Sequence, residues 1–434
     1  MQPRPVFATI VLAAAAGPGL APDTHTAGPG PALGERIETY VAPFVEAAHL
    51  SGSITVARGD EVVFERSYGL ANHELGVPNS PTTRFCVASI TKPMTQVIAV
   101  RLLAAGRFAL EDELSKWIPD FPAGSEITVE MLAYHRAGIP HRVTTDAEEA
   151  VPRTAAEMVE LAARADPLFE PGSSESYSSA GYSVLARVLE LAGGKSYAEL
   201  LEEHVVTPAG LEGTVHPEGH RLIPGRASSY QLAGDGRLVN SALKNYSFLV
   251  GAGSVFSTSG DLVRLLRAVV AGTLGETVSA QLLDEDGGLT WNGRTDGYRA
   301  FADYHAERDL YVAFAGNLLT GAGDLLRRDL PRLAAGEEVP LPVVPTSRAV
   351  AVDPEILRRY AGDYELRPGS PLTLTVENGE VRMSGWLLVP TSETTFFSPQ
   401  DYGEITVVKD DDGAVTRLDW KIGDETYPMP RVGD

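Results

Sequence analysis

The chain has 434 residues, 44% of them hydrophobic, so it can bury a large core and fold into two or more globular units. Its 58 acidic and 36 basic residues give a formal net charge of −22, which disfavours binding to nucleic acid or anionic lipid. The single cysteine, Cys86, excludes an internal disulfide framework. Because Cys86 lies in an apolar run, we expect a small buried hydrophobic residue rather than a reactive thiol.

Residues 1–21 differ in composition from the rest of the chain. One basic residue, Arg4, precedes an apolar run from Val6 to Ala16 and small residues ending at Ala21. This pattern predicts a secretory signal peptide, and therefore a secreted or periplasmic protein. The alternative is a disordered Ala/Gly/Pro-rich extension of a cytoplasmic protein. No other apolar stretch approaches the 18 or so residues that cross a bilayer, so we expect no membrane span.

The hydrophobic pattern over residues 34–338 predicts a mixed α/β (α+β) domain. It indicates a helix over 36–49, a β-hairpin around 58–60 and mainly helices over 91–211. Two more strands joined by a polar turn follow within 298–317, and then a helix over 323–334. Strands at both ends with helices between them suggest a sheet that joins the two ends of the segment.

A second unit is predicted at residues 354–434. The preceding segment, 339–353, is rich in proline and has no regular period, as is typical of an interdomain linker. Beyond it, short alternating runs are separated by turn signals at Asn378-Gly379 and Asp412-Gly413. About 80 residues of this kind form a small antiparallel β-barrel or sandwich.

The segment "RFCVASITKPMT" (84–95) places Ser89 and Lys92 one helical turn apart. Pro93 is tolerated only in the first turn of a helix, so the helix has to begin close to Ser89. A hydroxyl and a lysine in this arrangement suit nucleophilic catalysis, but they also suit a helix cap followed by a surface lysine. A second such string, Ser241-Ala-Leu-Lys244, shows how easily the pattern arises by chance.

Other common catalytic patterns do not fit. The closest pair of histidines, His216 and His220, encloses Pro217 and Gly219 and cannot form the helical zinc-binding arrangement. The sequence has no Gly-x-Ser-x-Gly elbow, Walker A loop or dinucleotide-binding glycine fingerprint. We therefore predict no metal and no cofactor, and Ser89 is the best candidate nucleophile.

Four segments in order resemble the serine β-lactamase and penicillin-binding-protein superfamily, in its branch of class C β-lactamases, D,D-peptidases and family VIII carboxylesterases. They are "FCVASITKPMT" (85–95), "MLAYHRAGIP" (131–140), "FEPGSSESYSSAGY" (169–182) and "GAGSVFSTSGDL" (251–262). The resemblance spans about residues 35–335. It implies a domain with an antiparallel sheet and a helical region. In addition, "LRRYAGDYEL" (357–366) resembles the start of the lipocalin-like β-barrel often appended to these hydrolases.

The resemblance also implies a catalytic group. Ser89 would attack a carbonyl, while Lys92 and the phenol of Tyr177 would share its proton and pass it to the leaving group. Ser179 stands where the family usually has an asparagine that contacts the substrate's acyl amide. A hydroxyl is shorter and has one donor, so this contact is expected to be weaker.

A third motif is implied at "WNGRTDGYRA" (291–300). Gly293 is kept, whereas Trp291 replaces the family's basic residue and offers an apolar face in place of a charge. The N–H of Arg294 would join that of Ser89 in an oxyanion hole. The Arg294 side chain is either a replacement cation or an ordinary solvated arginine.

The sequence thus predicts a serine hydrolase that forms an acyl-enzyme on Ser89 and acts on a small-molecule ester or peptide substrate. Because Ser179 and Trp291 both depart from the family pattern, esters are expected to be better substrates than β-lactams or D-Ala-D-Ala peptides. One alternative is a peptide-cyclising thioesterase of the penicillin-binding-protein type. Another is a catalytically silent peptide-binding protein, which those two departures would suit.

Overall fold

The computed structural model describes residues 32–233, 237–342, 344, 350–367, 370–377, 379–423 and 425–432. The signal peptide predicted at 1–21 lies outside these residues, as do Asn378 of one predicted turn and part of the linker predicted at 339–353. Export and the domain boundaries therefore stay predictions. Within the described ranges, no helix is both long enough and apolar enough to cross a membrane.

The strands of the described residues, in chain order, are β1 (Gly52–Arg58), β2 (Glu61–Tyr68), β3 (Leu70–Asn72), β4 (Val77–Pro78), β5 (Phe85–Cys86), β6 (Tyr230–Leu232), β7 (Leu238–Asn240), β8 (Phe256–Ser257), β9 (Leu289–Thr295), β10 (Tyr298–His305), β11 (Leu310–Gly316), β12 (Gly362–Arg367), β13 (Ser370–Glu377), β14 (Glu380–Met383), β15 (Trp386–Pro390), β16 (Thr395–Ser398), β17 (Gly403–Lys409), β18 (Val415–Ile422) and β19 (Glu425–Val432).

The helices of the same residues are α1 (Leu33–Glu46), α2 (Thr91–Ala104), α3 (Val129–Ala133), α4 (Asp146–Glu149), α5 (Ala155–Ala163), α6 (Ser179–Gly193), α7 (Tyr197–Leu201), α8 (Thr207–Ala209), α9 (Ser259–Val270), α10 (Glu276–Leu282), α11 (Ala322–Ala334) and α12 (Pro354–Tyr360). Shorter 3₁₀ turns lie at Ala88–Ile90, Leu114–Lys116, Tyr246–Leu249 and Ala306–Arg308, and a π-helical turn at Glu202–Val206 joins α7 to α8.

A five-stranded antiparallel sheet in the order β2-β1-β11-β10-β9 forms the centre of the first unit. β1 pairs with β11 along its whole length, so the two ends of the segment meet in one sheet, as the sequence predicted. One face carries large side chains such as Phe301 and Phe314, which pack under α1 and α11. The other face carries small ones, such as Ala300 and Ala313, and there the helical region can approach closely. The predicted mixed α/β domain is confirmed.

The helical region lies between β5 and β9 in the chain, with α2 at its centre. Eleven of the fourteen α2 residues are buried, from Thr91 to Leu102, which explains why the helix has no polar face. Cys86, just upstream in β5, is fully buried and its thiol donates to the Gly253 carbonyl at 3.3 Å. Burial raises the pKa of this thiol to about 12, in agreement with the expected small buried residue.

The second unit is a closed barrel of eight antiparallel strands, β12 to β19. Each strand pairs with the next, and β19 closes the barrel on β12 with Val432 opposite Asp363. Apolar side chains including Phe396 and Leu418 fill the interior. The predicted turn at Asp412-Gly413 connects β17 to β18, and Gly413 takes the positive φ that it requires. The barrel is thus confirmed over the sandwich, while the likeness to lipocalins stays a prediction.

Candidate active site

Ser89 lies in the 3₁₀ turn Ala88–Ile90, which leads directly into α2 at Thr91. The backbone of Ala88 has a φ of +47°, which L residues rarely adopt, so the turn is strained. The loop before β8 holds it in place, because Val87 N–H donates to the Val255 carbonyl at 2.9 Å and Val255 N–H donates to Thr91 Oγ1 at 3.1 Å. The helix therefore begins where Pro93 predicted, and Ser89 stands half-buried at its start.

Lys92 and Tyr177 converge on Ser89. The Tyr177 hydroxyl donates to Ser89 Oγ at 2.8 Å, and Lys92 Nζ lies 3.4 Å from the same oxygen. The Lys92 side chain is buried, and its Nζ donates to the Ala252 carbonyl at 2.9 Å and lies 4.6 Å from the centre of the Tyr177 ring. The three residues that sequence reasoning assigned to catalysis are thus in mutual contact.

Two histidines, to which the sequence analysis gave no role, flank Tyr177. The ring centres of His135 and His141 lie 4.7 and 5.4 Å from that of Tyr177. His135 is buried and its Nδ1 accepts from Ser178 N–H at 3.1 Å. Burial and the positive charge of Lys92 lower the pKa of His135 to about 3, so its imidazole is neutral at neutral pH. Both histidines lie in the segment "MLAYHRAGIPHR" (131–142), of which the sequence analysis used only the first ten residues, as a family marker.

Ser179 is the first residue of α6 and lies beside the catalytic group. Its hydroxyl is 3.3 Å from Lys92 Nζ, and its N–H donates to His141 Nδ1 at 3.3 Å. Ser178, one residue earlier, caps the helix by accepting from Gly181 N–H. The serine that replaces the asparagine therefore lies next to Lys92.

Gly293 brings β9 against the turn that carries Ser89. A Cβ added at this glycine would lie 2.0 Å from the Val87 carbonyl oxygen and 3.3 Å from Ser89 N. No side chain fits into that space. The close approach of the strand to the nucleophile therefore requires glycine at this position.

Trp291 and Arg294 lie on the same strand but differ in environment. Trp291 is 2% exposed and packs in the core cluster on the helical side of the sheet, so the structure does not bring its side chain to the cavity at Ser89. Arg294 does line that cavity. Its guanidinium pairs with Asp324 at 2.7 Å and stacks on Trp386 of the barrel, 5.2 Å from the ring centre.

A buried arginine supports this strand from the adjacent β10. Arg299, 1% exposed, donates to the Gly293 carbonyl at 3.2 Å and also to Asp324 and Asn292. Although burial opposes ionisation, Arg299 and Arg294 hold the pKa of Asp324 below its ordinary value. Since a peptide group is planar and trans, fixing the Gly293 carbonyl also fixes the direction of the Arg294 N–H.

A cavity of about 170 Å³ opens at Ser89. Apolar side chains including Met158 and Phe248 line part of it, and a buried ion pair lines another part. That pair joins Lys244 Nζ to Glu149 at 2.6 Å, and Lys244 also contacts Asp296 at 2.7 Å. The second Ser-x-x-Lys string of the sequence thus contributes its lysine to the cavity wall as an ion-pair partner.

Comparison with known proteins places this geometry in a family. The family model described as Beta-lactamase matches residues 37–333, more than half of the chain. The chain belongs to the beta-lactamase family. This beta-lactamase family member is 24% identical to penicillin-binding protein 4* of Bacillus subtilis (strain 168) over 90% of this chain and 97% of that protein. It is also 27% identical to esterase EstB of Burkholderia gladioli over 61% of this chain and 78% of that protein.

A solved structure similar to this family member is the D-amino acid amidase from Ochrobactrum anthropi SV3. The TM-score is 0.62, with 20% identity, over 70% of this chain and 99% of the amidase. At this identity the likeness shows the fold alone. Members of the family are serine hydrolases, among them esterases and peptidases, and this membership supports hydrolase activity in general.

Proposed function

We propose that the protein is a serine hydrolase that forms an acyl-enzyme on Ser89 and cleaves esters or amides, in the manner of an esterase or a D-amino-acid peptidase. The observation that carries the proposal is the contact of Ser89 Oγ with both Tyr177 OH, at 2.8 Å, and Lys92 Nζ, at 3.4 Å. A helix cap needs neither neighbour. A hydroxyl nucleophile needs a group that takes its proton, and two candidates stand within reach.

The reaction would run in two halves. Ser89 Oγ attacks the substrate carbonyl, and its proton passes to the Tyr177–Lys92 pair in the form that lacks one proton, either phenol beside neutral amine or phenolate beside ammonium. The N–H groups of Ser89 and Arg294 stabilise the oxyanion. The pair then protonates the leaving group, which departs and leaves the acyl group on Ser89. Water attacks the acyl-enzyme in the second half, gives its proton to the same pair, and the acid is released as Oγ regains a proton. No step needs a metal or a cofactor.

Covalent labelling tests the proposal. A fluorophosphonate probe should add one phosphonyl group to the peptide that contains Ser89, and Ser89→Ala should abolish the adduct. Ser241→Ala is the matched control, because Ser241 has the same spacing to a lysine and should not affect labelling. An unlabelled native protein would favour the silent peptide-binding alternative, and undiminished labelling of Ser89→Ala would show that Ser89 is not the nucleophile.

The proton relay has its own test. Lys92→Ala and Tyr177→Phe should each lower kcat for p-nitrophenyl acetate by about 10²-fold or more, with little change in melting temperature. If both variants simply unfold, these residues serve stability rather than proton transfer. With a peptidyl thioester as substrate, a cyclic product in place of the free acid would identify the peptide-cyclising alternative.

A further inference from the structure

The barrel is packed firmly against the hydrolase unit through the loop between β16 and β17. Gly321 N–H donates to the Pro399 carbonyl at 3.0 Å, and a Cβ on Gly321 would lie 2.7 Å from the Tyr402 ring. The Tyr402 hydroxyl is 3.0 Å from His49 Nδ1, and its ring stacks on Phe44. These contacts hold the barrel at the N-terminus of α11, the helix whose first turn carries Asp324.

Next to this interface, a cleft of about 690 Å³ runs between the two units. The hydrolase unit supplies one wall, and the barrel supplies the other with the segments 380–387 and 399–400. The cleft shares four lining residues with the cavity at Ser89, namely Arg142, Lys244, Arg294 and Thr295. The two spaces therefore adjoin each other at these residues, and the barrel forms the outer wall of the space next to the Ser89 cavity.

Trp386 links the barrel wall to the catalytic strand. Its ring lies under the guanidinium of Arg294, 5.2 Å from the centre, and Arg294 directly follows Gly293. Trp386 is only partly buried and packs edge-on against Trp420 at 6.1 Å, so part of its ring borders the cleft. An aromatic ring held in this way offers a rigid surface on which a ligand can stack.

The size and polarity of the cleft favour one class of ligand. A small ester needs only the cavity of about 170 Å³, whereas the cleft has about four times that volume. Charged side chains of both signs line it, among them Arg382 with Glu380 and Lys244 with Asp296. Such a lining suits a chain rich in hydrogen-bonding groups and does not suit a lipid tail.

We propose that the cleft binds a peptide of several residues on the acyl side of the cleaved bond, with Trp386 as its outer wall. The acyl side is assigned because Arg142 and Lys244, which lead into the cleft, share the Ser89 cavity with Ser179, at which the family resemblance predicts the acyl-amide contact. The inference rests on the proposed function. The barrel would then be a specificity surface for peptides.

Peptide binding in the cleft can be tested in the full-length protein with two substrates that share the same leaving group. They are p-nitrophenyl acetate and the p-nitrophenyl ester of an N-acetylated tetrapeptide. The native protein should show at least about tenfold higher kcat/KM for the peptide ester. Trp386→Ala should lower the ratio of kcat/KM for the peptide ester to kcat/KM for the acetate by about tenfold, mainly through a higher KM for the peptide ester. Tyr427→Ala, an exposed aromatic on β19 outside the cleft lining, is the control and should change neither.

Direct binding separates this proposal from the chemistry. The tetrapeptide amide should bind full-length Ser89→Ala in calorimetry, about tenfold more weakly when Trp386→Ala is added. Equal kcat/KM for the acetate and the peptide ester would overturn the cleft proposal and leave the acyl-enzyme intact. Unchanged peptide binding and peptide-ester hydrolysis in Trp386→Ala would do the same. A native protein that is not labelled by the fluorophosphonate but still binds the peptide would overturn the acyl-enzyme and leave the cleft. If kcat/KM instead rises only when the peptide is placed in the leaving group of the ester, the acyl-side assignment is overturned.

Discussion

Replacing Gly293 with alanine probes the contact between β9 and the turn that carries Ser89. The new Cβ would lie 2.0 Å from the Val87 carbonyl oxygen, and real Cβ atoms essentially never come closer than 3.0 Å to another heavy atom. Strand and turn must therefore separate by about 1 Å, the difference between 3.0 and 2.0 Å. The obstructing atom belongs to the backbone, so no side-chain rotation can relieve the clash.

This displacement falls on the oxyanion hole. It moves the Arg294 N–H away from Ser89 N–H, and it strains the bond from Arg299 to the Gly293 carbonyl, now 3.2 Å long. A misplacement of about 1 Å costs about 10²-fold in rate, and loss of one oxyanion donor costs about 10²- to 10³-fold. We expect Gly293→Ala to lose at least 10²-fold in kcat for p-nitrophenyl acetate.

The assay pairs steady-state kinetics with thermal unfolding. Gly34→Ala in α1 serves as the control, because the nearest atom to its new Cβ is Phe64 Cδ2 at an ordinary 3.8 Å. The control should keep full activity. The reasoning is refuted if Gly293→Ala keeps more than half of the native kcat, or if its activity falls only in proportion to the unfolded fraction.

Two further changes test other parts of the site. His135→Asn should make the stability of the fold less sensitive to acid. The pKa of His135 is about 3 in the folded protein and about 6.5 in the unfolded chain, so between pH 3 and 6.5 only the unfolded chain takes up the proton, and stability falls as pH falls. Between pH 7 and 5 this uptake lowers the free energy of unfolding by about 2 kcal/mol, and urea titrations should show the loss in the native protein but not in the variant. Asparagine is chosen because its amide oxygen can still accept from Ser178 N–H and because it tolerates the positive φ of this position. Ser179→Asn should raise the ratio of kcat/KM for an N-acylated amino-acid ester to kcat/KM for p-nitrophenyl acetate by about tenfold. An unchanged ratio would show that this position does not bind the acyl amide of the substrate.

Sequence reasoning singled out the candidate catalytic group of Ser89, Lys92 and Tyr177 because its signals are local or carried by motifs. Pro93 forced the start of α2 next to Ser89, and the motif around Tyr177 placed the phenol. The strain at Ala88 and the neutral state of His135 depend on contacts between segments far apart in the chain, which no local pattern encodes.

Long-range packing also decided the cases in which the sequence did not suffice. The motif alignment placed Trp291 at the substrate, in place of the family's basic residue, whereas its side chain lies in the core, where segments far apart in the chain pack around it. Lys244 belonged to a string that looked accidental, yet Glu149 and Asp296 hold it at the cavity wall. In the barrel, alternation and turns predicted the strands, but closure depends on β19 meeting β12.

The burial of Cys86 makes the native protein inert towards thiol reagents under mild conditions. Alkylation requires a thiolate, and a fully buried thiol with a pKa of about 12 offers almost none at neutral pH. Since the chain has no other cysteine, one introduced at the exposed rim of the cleft, such as Glu380→Cys, would be the single reactive position. A fluorophore attached there would report on changes in its surroundings at the cleft without any prior removal of native thiols.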